Sequence, residues 1–336
     1  MAQLKIISDL HLGVQRSAGT TPVSAYLLRL SLLKQAADLI DTCRDSDLMI
    51  LGDLFDSTSV PMSDWLATFQ MLQDRCTHSH RHTYLVGGNH DYPKTDTTLS
   101  SFQLLCAVLT DLNPGKVTAI HAPQMTPHGY VIPSLANQDL MDQALESVPA
   151  CEVAYLHVNY DNKFAAQSDQ SLNLSPEQAE LCLAKNIVIA HEHQTRKIGK
   201  VWIPGNQIAS SISDCLGSDA KRMTIVEKGQ PRFEVLYPIH EVYEDMNWSE
   251  LRDSEKPFIR ISGSALATEA ADVVSAISNY RKNSNAFVVS NAVKILAEDG
   301  SDVFAKSLES VKSFDVMAAL RAFLTAEEYA VVEKLT

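Results

Sequence analysis

Over the first third of the chain, short apolar runs that end on polar clusters alternate with longer segments of helical periodicity. Residues 4–8 are a buried strand by length. Residues 14–23 carry Gly, Ser, Thr and Pro and read as a loop. Over 24–43 the apolar positions Leu27, Leu30, Leu33, Ala37 and Ile40 recur at helical spacing, with Ser24 as the expected N-cap. Strands follow at 48–51 and 83–86, the latter closed by Gly87-Gly88, with helices around 65–72 and 101–109. This βαβαβα rhythm predicts a mainly parallel sheet covered by helices.

From residue 116 the elements shorten. Strands are expected at 117–120, 129–132, 153–157, 187–190, 201–203, 223–227 and 233–236, with helices at 138–146 and 176–185. Asn, Ser and charged residues cluster over 248–256. A strand (258–262), a helix (269–282) and a strand (286–289) then suggest a small α+β module. After Gly300-Ser301 short helices are expected, one with an apolar face formed by Phe314, Met317, Leu320 and Leu324. The expected division is therefore 1–247, 248–300 and 301–336.

Charge narrows the partners. The net charge is -13, whereas a protein that grips nucleic acid by itself is usually basic, because Lys and Arg must replace phosphate counterions. Residues 241–336 hold 10 Lys/Arg against 16 Asp/Glu, so no basic tail supplies that grip. Six scattered cysteines without a CxxC pair read as reduced core thiols of a cytoplasmic protein. No secretory signal or membrane helix is expected.

Acidic and histidine residues recur where strands are expected to end: Asp9 and His11, Asp53 and Asp56, Asn89 to Asp91, His157, then His191 and His193. Open α/β sheets gather ligand sites at carboxyl strand ends, so these clusters should converge. In an extended segment alternate residues share a face, so Asp9 and His11 should reach one ion together, as should His191 and His193. Asp9, His11, Asp53, Asn89, His157, His191 and His193 make seven ligands of imidazole, carboxylate and amide type, suited to Mn, Fe or Zn. Seven are too many for one catalytic ion and suit two, about 3.5–4 Å apart and bridged by a carboxylate. Asp91 reads as a residue that supports the ligands or is structural, not as a ligand; His78, His80 and His82 read as a solvated loop, and His121 and His128 as structural or surface residues.

DxH, GDxxD, GNHD, a lone His and HxH, in that order, resemble the motif set of the calcineurin-like metallophosphoesterases. The resemblance implies an α/β fold of layered β-sheets flanked by helices, with a small α+β capping domain and C-terminal helices. It assigns Asp9, His11, Asp53 and His193 to one divalent ion, and Asp53, Asn89, His157 and His191 to the other. His90 would act on the scissile phosphate or the leaving oxygen, and Asp56 would hold His90 in the needed tautomer. One departure is Ala190, where the family's last motif usually begins with Gly; a methyl group is tolerated there if the backbone is in the β region.

A narrower resemblance is to SbcD-type DNA repair nucleases, including phage recombination endonuclease subunits. It rests on Ser8-Asp9-Leu10-His11-Leu12-Gly13, Gly52-Asp53-Leu54-Phe55 and Trp202-Ile203-Pro204-Gly205-Asn206, together with the three-part layout. It implies a DNA exonuclease or endonuclease using two Mn²⁺ ions. It also implies an SMC-like ATPase partner of the SbcC type, docked on the C-terminal helices, and a homodimer. The alternative is a stand-alone phosphoesterase acting on phosphomonoesters or small nucleotides.

Overall fold

The computed structural model describes residues 3–14, 21–93, 98–162 and 172–297. The chain opens with β1 (Leu4–Ile7), α1 (Pro22–Asp41), β2 (Asp47–Leu51), α2 (Met62–His78), β3 (Thr83–Val86), α3 (Ser101–Leu112) and β4 (Val117–Ile120). It continues through β5 (Gln124–Thr126), β6 (Gly129–Ile132), α4 (Gln138–Glu146), β7 (Cys151–His157), β8 (Asn159–Tyr160), β9 (Asn173–Leu174), α5 (Pro176–Leu181) and β10 (Ala184–Ala190). Then come β11 (Arg196–Ile198), β12 (Val201–Ile203), β13 (Ala220–Glu227), β14 (Gln230–Pro238), β15 (Tyr243–Asn247), β16 (Phe258–Ser262), β17 (Ser264–Leu266), α6 (Ala270–Asn283), β18 (Val288–Asn291) and β19 (Lys294–Leu296).

β1 to β4 pair in parallel, as the βαβ rhythm predicts, while β13 and β14 add antiparallel at the β1 edge. A second six-stranded sheet runs β11–β12–β10–β7–β6–β5. Side-chain alternation explains the layering. Leu4, Ile6, Met49, Leu51, Tyr84 and Val86 point one way from the first sheet and pack against Val131, Val153, Tyr155 and Val188 of the second. The intervening Ile7, Leu48, Ile50 and Leu85 point the other way, onto Leu28, Leu32, Leu72 and Phe102 of α1, α2 and α3. Ala154, Leu156, Ile187 and Ile189 likewise meet Met141 and Ala179 of α4 and α5. Strand positions buried on either face are apolar, which is why the central stretches 48–51, 84–86, 153–156 and 187–190 read as apolar runs.

Three local expectations change. Thr21, not Ser24, caps α1: its hydroxyl accepts from Ser24 N, Pro22 opens the helix, and Ser24 is the reciprocal member of a capping box. The helix expected over 176–185 stops at Leu181, because Ala184 is drawn into the parallel ladder opposite Cys151. His82 is not part of a solvated loop; it hydrogen-bonds Thr118 Oγ1 at 2.8 Å and lies against Tyr84.

The chain divides into two compact units: 1–244 with 254–259 and 285–289, and 245–253 with 260–284 and 290–336. The second contains α6, buried through Val273 and Ile277, and the parallel pair β17–β19. The helices expected over 301–336 lie outside the described residues. No helix among the described residues is long and apolar enough to cross a membrane.

Candidate metal centre

The ends of β1, β2, β3, β7 and β10 bring the motif residues together within the first unit. Beyond β1 and β2 the two loops stay paired: Asp9 N and His11 N donate to Gly52 O and Asp53 O, both at 3.1 Å, and Leu12 bridges to Phe55. Asp91 ties the third loop to these. Its carboxylate accepts from Gly88 N at 2.9 Å, Phe55 N at 3.2 Å and Leu54 N at 3.3 Å. Burial first, then the Asp53 charge, raises the Asp91 carboxyl to about 7. On the second sheet Ala190 and His157 are register partners in parallel strands, so the HxH pair emerges beside His157. Ala190 lies in β10 and has no positive φ, so its methyl group is accommodated.

Backbone strain concentrates here. Asp9 (φ 52°), His11 (φ 46°), Asp53 (φ 50°) and His191 (φ 95°) all occupy the left-handed side of φ space, which non-glycine residues rarely enter. Two glycines permit the close approach. A Cβ on Gly88 would meet Asp53 Oδ1 at 2.1 Å, and one on Gly52 would meet His157 Nδ1 at 2.1 Å. The expectation that Asp9 and His11 align through strand alternation is therefore corrected: they converge because the chain is kinked, not extended.

Ligand atoms within 4.8 Å of one another form three groups: Asp9, Asp53, His157 and His191; Asp9, His11 and His193; and His11, Asp53 and His90. His191 and His193 thus fall in different groups, against the spacing argument that put them on one ion. Asp9 is common to the first and second groups and Asp53 to the first and third; the resemblance made Asp53 the shared carboxylate. Asp53 Oδ2 lies 3.4 Å from His157 Nε2 and 4.0 Å from His11 Nε2, between the two. Asn89 Oδ1 is 3.0 Å from His157 Nε2.

Hydrogen bonding fixes the tautomers. A carbonyl oxygen only accepts, so His157 Nδ1 must donate to Leu51 O at 3.0 Å, and His90 Nδ1 to Asp56 O at 2.6 Å. The support for His90 is thus the Asp56 backbone carbonyl, not the carboxylate expected; the Asp56 Oδ1 atom lies 3.6 Å from His11 Nδ1. His157 Nε2 then faces the oxygens of Asp53 and Asn89, a convergence of acceptors that requires a positive species among them. Asp9 Oδ1 and His11 Nδ1 are also buried without hydrogen-bond partners. This donor set fits divalent cations: hard oxygens and imidazoles, no thiolate, and an orphaned buried carboxylate oxygen, Asp9 Oδ1.

The electrostatics agree. Burial opposes ionisation of Asp53, but the charge and hydrogen bond of His157, with His11 and His90, outweigh it and hold the carboxyl well below its usual range. Burial likewise opposes charge on His157, yet Asp53 and Asp9 raise it to about 9, so a proton takes the cation's place when no metal is bound. Burial pushes His11 down to about 3, keeping it neutral.

Three residues escaped the sequence reading. Asp214 accepts from His193 Nδ1 at 2.7 Å. Gln207, fully buried, accepts from Ser8 N at 2.6 Å and joins the Pro-Gly-Asn segment to the first motif. Lys221, 1% exposed, donates to Asn206 Oδ1 at 2.5 Å. No motif in the sequence around these residues marked them. Beside His193 opens a cleft of about 480 Å³ lined by Asn159, Tyr160, Asp161, Glu192, Arg196 and Asp214 among others.

Among solved structures the chain is similar to an archaeal phosphodiesterase (12% identity, 70% of this chain and 99% of that one, TM-score 0.35). It is also similar to the protein TT1561 of Thermus thermophilus (13%, 70% and 98%, 0.39) and to nuclease MPE of Pseudomonas putida (12%, 69% and 87%, 0.30). None of the curated proteins compared matches it. The family model for calcineurin-like phosphoesterases matches residues 3–195, the stretch that holds every motif from Asp9 to His193. With its layered sheets and converging strand-end ligands, the chain belongs to the calcineurin-like phosphoesterase family.

Proposed function

We propose that this protein is a two-metal phosphodiesterase that hydrolyses DNA with Mn²⁺, the nuclease subunit of an SbcCD-like repair or recombination complex. One observation carries the reaction class: two groups of buried acceptors share Asp9, and the imidazole of His90, pinned through Nδ1, stands beside them. When bound, the metal pair supplies an activated water and neutralises charge on the phosphoryl group. The chain's own residues hold that arrangement. Asp53 stays ionised and His157 presents Nε2 because Nδ1–H is committed to Leu51 O. His90 carries a proton at Nε2 in its imidazolium form and delivers it to the departing sugar oxygen.

The choice of DNA rests on the Ser8–Gly13, Gly52–Phe55 and Trp202–Asn206 segments and on the three-part layout. Within this proposal, residues 248–300 cap the site, 301–336 dock an SMC-like ATPase that supplies DNA affinity, and the subunit dimerises. The acidic net charge suits a subunit that does not hold DNA alone.

A second reading, a stand-alone phosphoesterase for small nucleotides, draws on the cleft beside His193. Asp161 and Glu192 set two carboxylates there against Arg196, whose guanidinium is paired with Glu192 at 2.6 Å. Such a lining favours a compact, hydrogen-bonding group over a phosphate chain. The test is a substrate panel with Mn²⁺: single- and double-stranded DNA, RNA, cyclic nucleotides and a phosphomonoester. Cleavage of DNA above the others supports the first reading; turnover confined to cyclic nucleotides or the monoester replaces it with the second.

A further inference from the structure

We infer that Asp214 is a positioning residue that strengthens one of the two metal positions independently of the other, acting through His193. The inference rests on the two-metal reading above. Asp214 is 1% exposed and its carboxylate is fully engaged. Oδ1 accepts from His193 Nδ1 at 2.7 Å; Oδ2 accepts from Ser210 N at 2.8 Å, Ser211 N at 2.9 Å and Ser210 Oγ at 3.0 Å. Four donors leave the group one orientation. An ionised carboxylate cannot donate, so His193 bears its proton on Nδ1 and presents the Nε2 lone pair toward Asp9 and His11.

The other group is built differently. His157, which sits with Asp9, Asp53 and His191, donates its Nδ1–H to a neutral acceptor, Leu51 O, at 3.0 Å. A carboxylate behind an imidazole raises ring basicity more than a carbonyl does, and such partners are worth about 10–100-fold in metal affinity. His193 and His157 are therefore supported unequally. Burial opposes charge on Asp214, but His193 first, then the buried Lys221 ammonium held by Asn206 Oδ1 and the Ser210 amide, hold the carboxyl well below its usual range. Its position late in the chain, 21 residues after His193, makes Asp214 a contribution of the segment beyond the family motifs.

The test is a Mn²⁺ titration of the metal-free full-length chain by calorimetry, with electron paramagnetic resonance to distinguish isolated from coupled ions. Wild type should take up two ions with a coupled spectrum. Asp214→Asn keeps an acceptor for His193 but removes the charge. It should weaken one binding step about 10–100-fold and leave the other, giving the spectrum of isolated Mn²⁺ at concentrations that saturate wild type. Near-UV circular dichroism checks the fold. If that variant does not fold, Ser210→Ala, which removes a single bond to Oδ2, should weaken the same step to a smaller degree. Unchanged affinity at both steps, or equal loss at both, overturns the role. A wild-type chain that binds one ion overturns the two-metal reading and the asymmetry with it.

Discussion

His90 and Asp53 are in direct contact, His90 N donating to Asp53 Oδ1 at 2.9 Å, yet their imidazole and carboxylate face different tasks. Asp53 lies between the two acceptor groups, whereas the His90 ring is pinned by the Asp56 carbonyl. His90→Ala should keep both ions and lose about 10²–10⁴ in turnover, the range for a general acid. Asp53→Ala should lose metal as well. Metal content by mass spectrometry beside turnover separates them, and equal metal loss in both would show that His90 is a ligand, as its grouping with His11 and Asp53 allows. A second prediction follows from His157, whose raised pKa of about 9 reflects the Asp53 and Asp9 carboxylates overcoming burial. A cation must displace that proton. Below pH 9 the protonated form dominates, so Mn²⁺ affinity should fall as pH falls, on the order of tenfold per unit for each proton displaced. Titrations between about pH 6.5 and 8.5 read the slope; affinity that does not change with pH would remove His157 from the ligand set.

At the scale of elements, the sheets can carry a strained site only if the helices behind them are firmly placed. Arg75 does this for α2. Its guanidinium, 1% exposed, donates to Cys43 O and Ser46 O at 2.7 Å and to Thr83 Oγ1 at 3.0 Å, tying α2 to the turn after α1 and to the first residue of β3. Arg75→Met keeps the apolar stem but removes three buried hydrogen bonds, with Cys43 O keeping only its bond from Ser46 N, so it should cost about 3 kcal/mol, read as a lower urea midpoint. Thr21→Ala, which removes only the cap of α1, should cost about 1 kcal/mol. A cost for Arg75→Met no larger than that of Thr21→Ala would mean that water reaches the freed carbonyls.

For the whole molecule, metal and fold are linked, because ions that bind only the native state stabilise it. At a free Mn²⁺ concentration about one hundred times the dissociation constant the gain is about 2.7 kcal/mol per ion. For a domain of this size that is on the order of 5–10 °C in melting temperature, lost on chelation. A melting curve indifferent to chelator would argue against ligands that converge this tightly. The proposed docking segment gives the other test at this scale. Deleting residues 301–336 should spare metal-dependent cleavage of small phosphodiesters, since every candidate ligand precedes Gln194. It should abolish co-purification with the SMC-like ATPase. A truncated chain that still binds the ATPase at full strength would move the reading toward the stand-alone phosphoesterase.

Amino-acid order alone was enough for a parallel α/β sheet covered by helices, whereas the second sheet layered on it was implied only by the family resemblance. Strand positions buried on either face are apolar, and a helix packed on one side must show a stripe, so the run 48–51 and the stripe of α1 are local patterns with local signatures. The motif residues were legible for the same reason, as short polar clusters placed where strands end. What only the tertiary structure decided is how they meet. Asp9, His11, Asp53 and His191 adopt left-handed φ values because neighbouring loops hold them there, through bonds such as His11 N to Asp53 O across 42 residues of chain. The kink separates His191 from His193, which alternation along an extended strand would have kept on one face. Asp214 reaches His193 only after the chain has passed through β11 and β12, so nothing near either residue announced the pair. Residue types and spacings report what a segment can do locally; which lone pair points at which ion is set by contacts between segments distant in the chain.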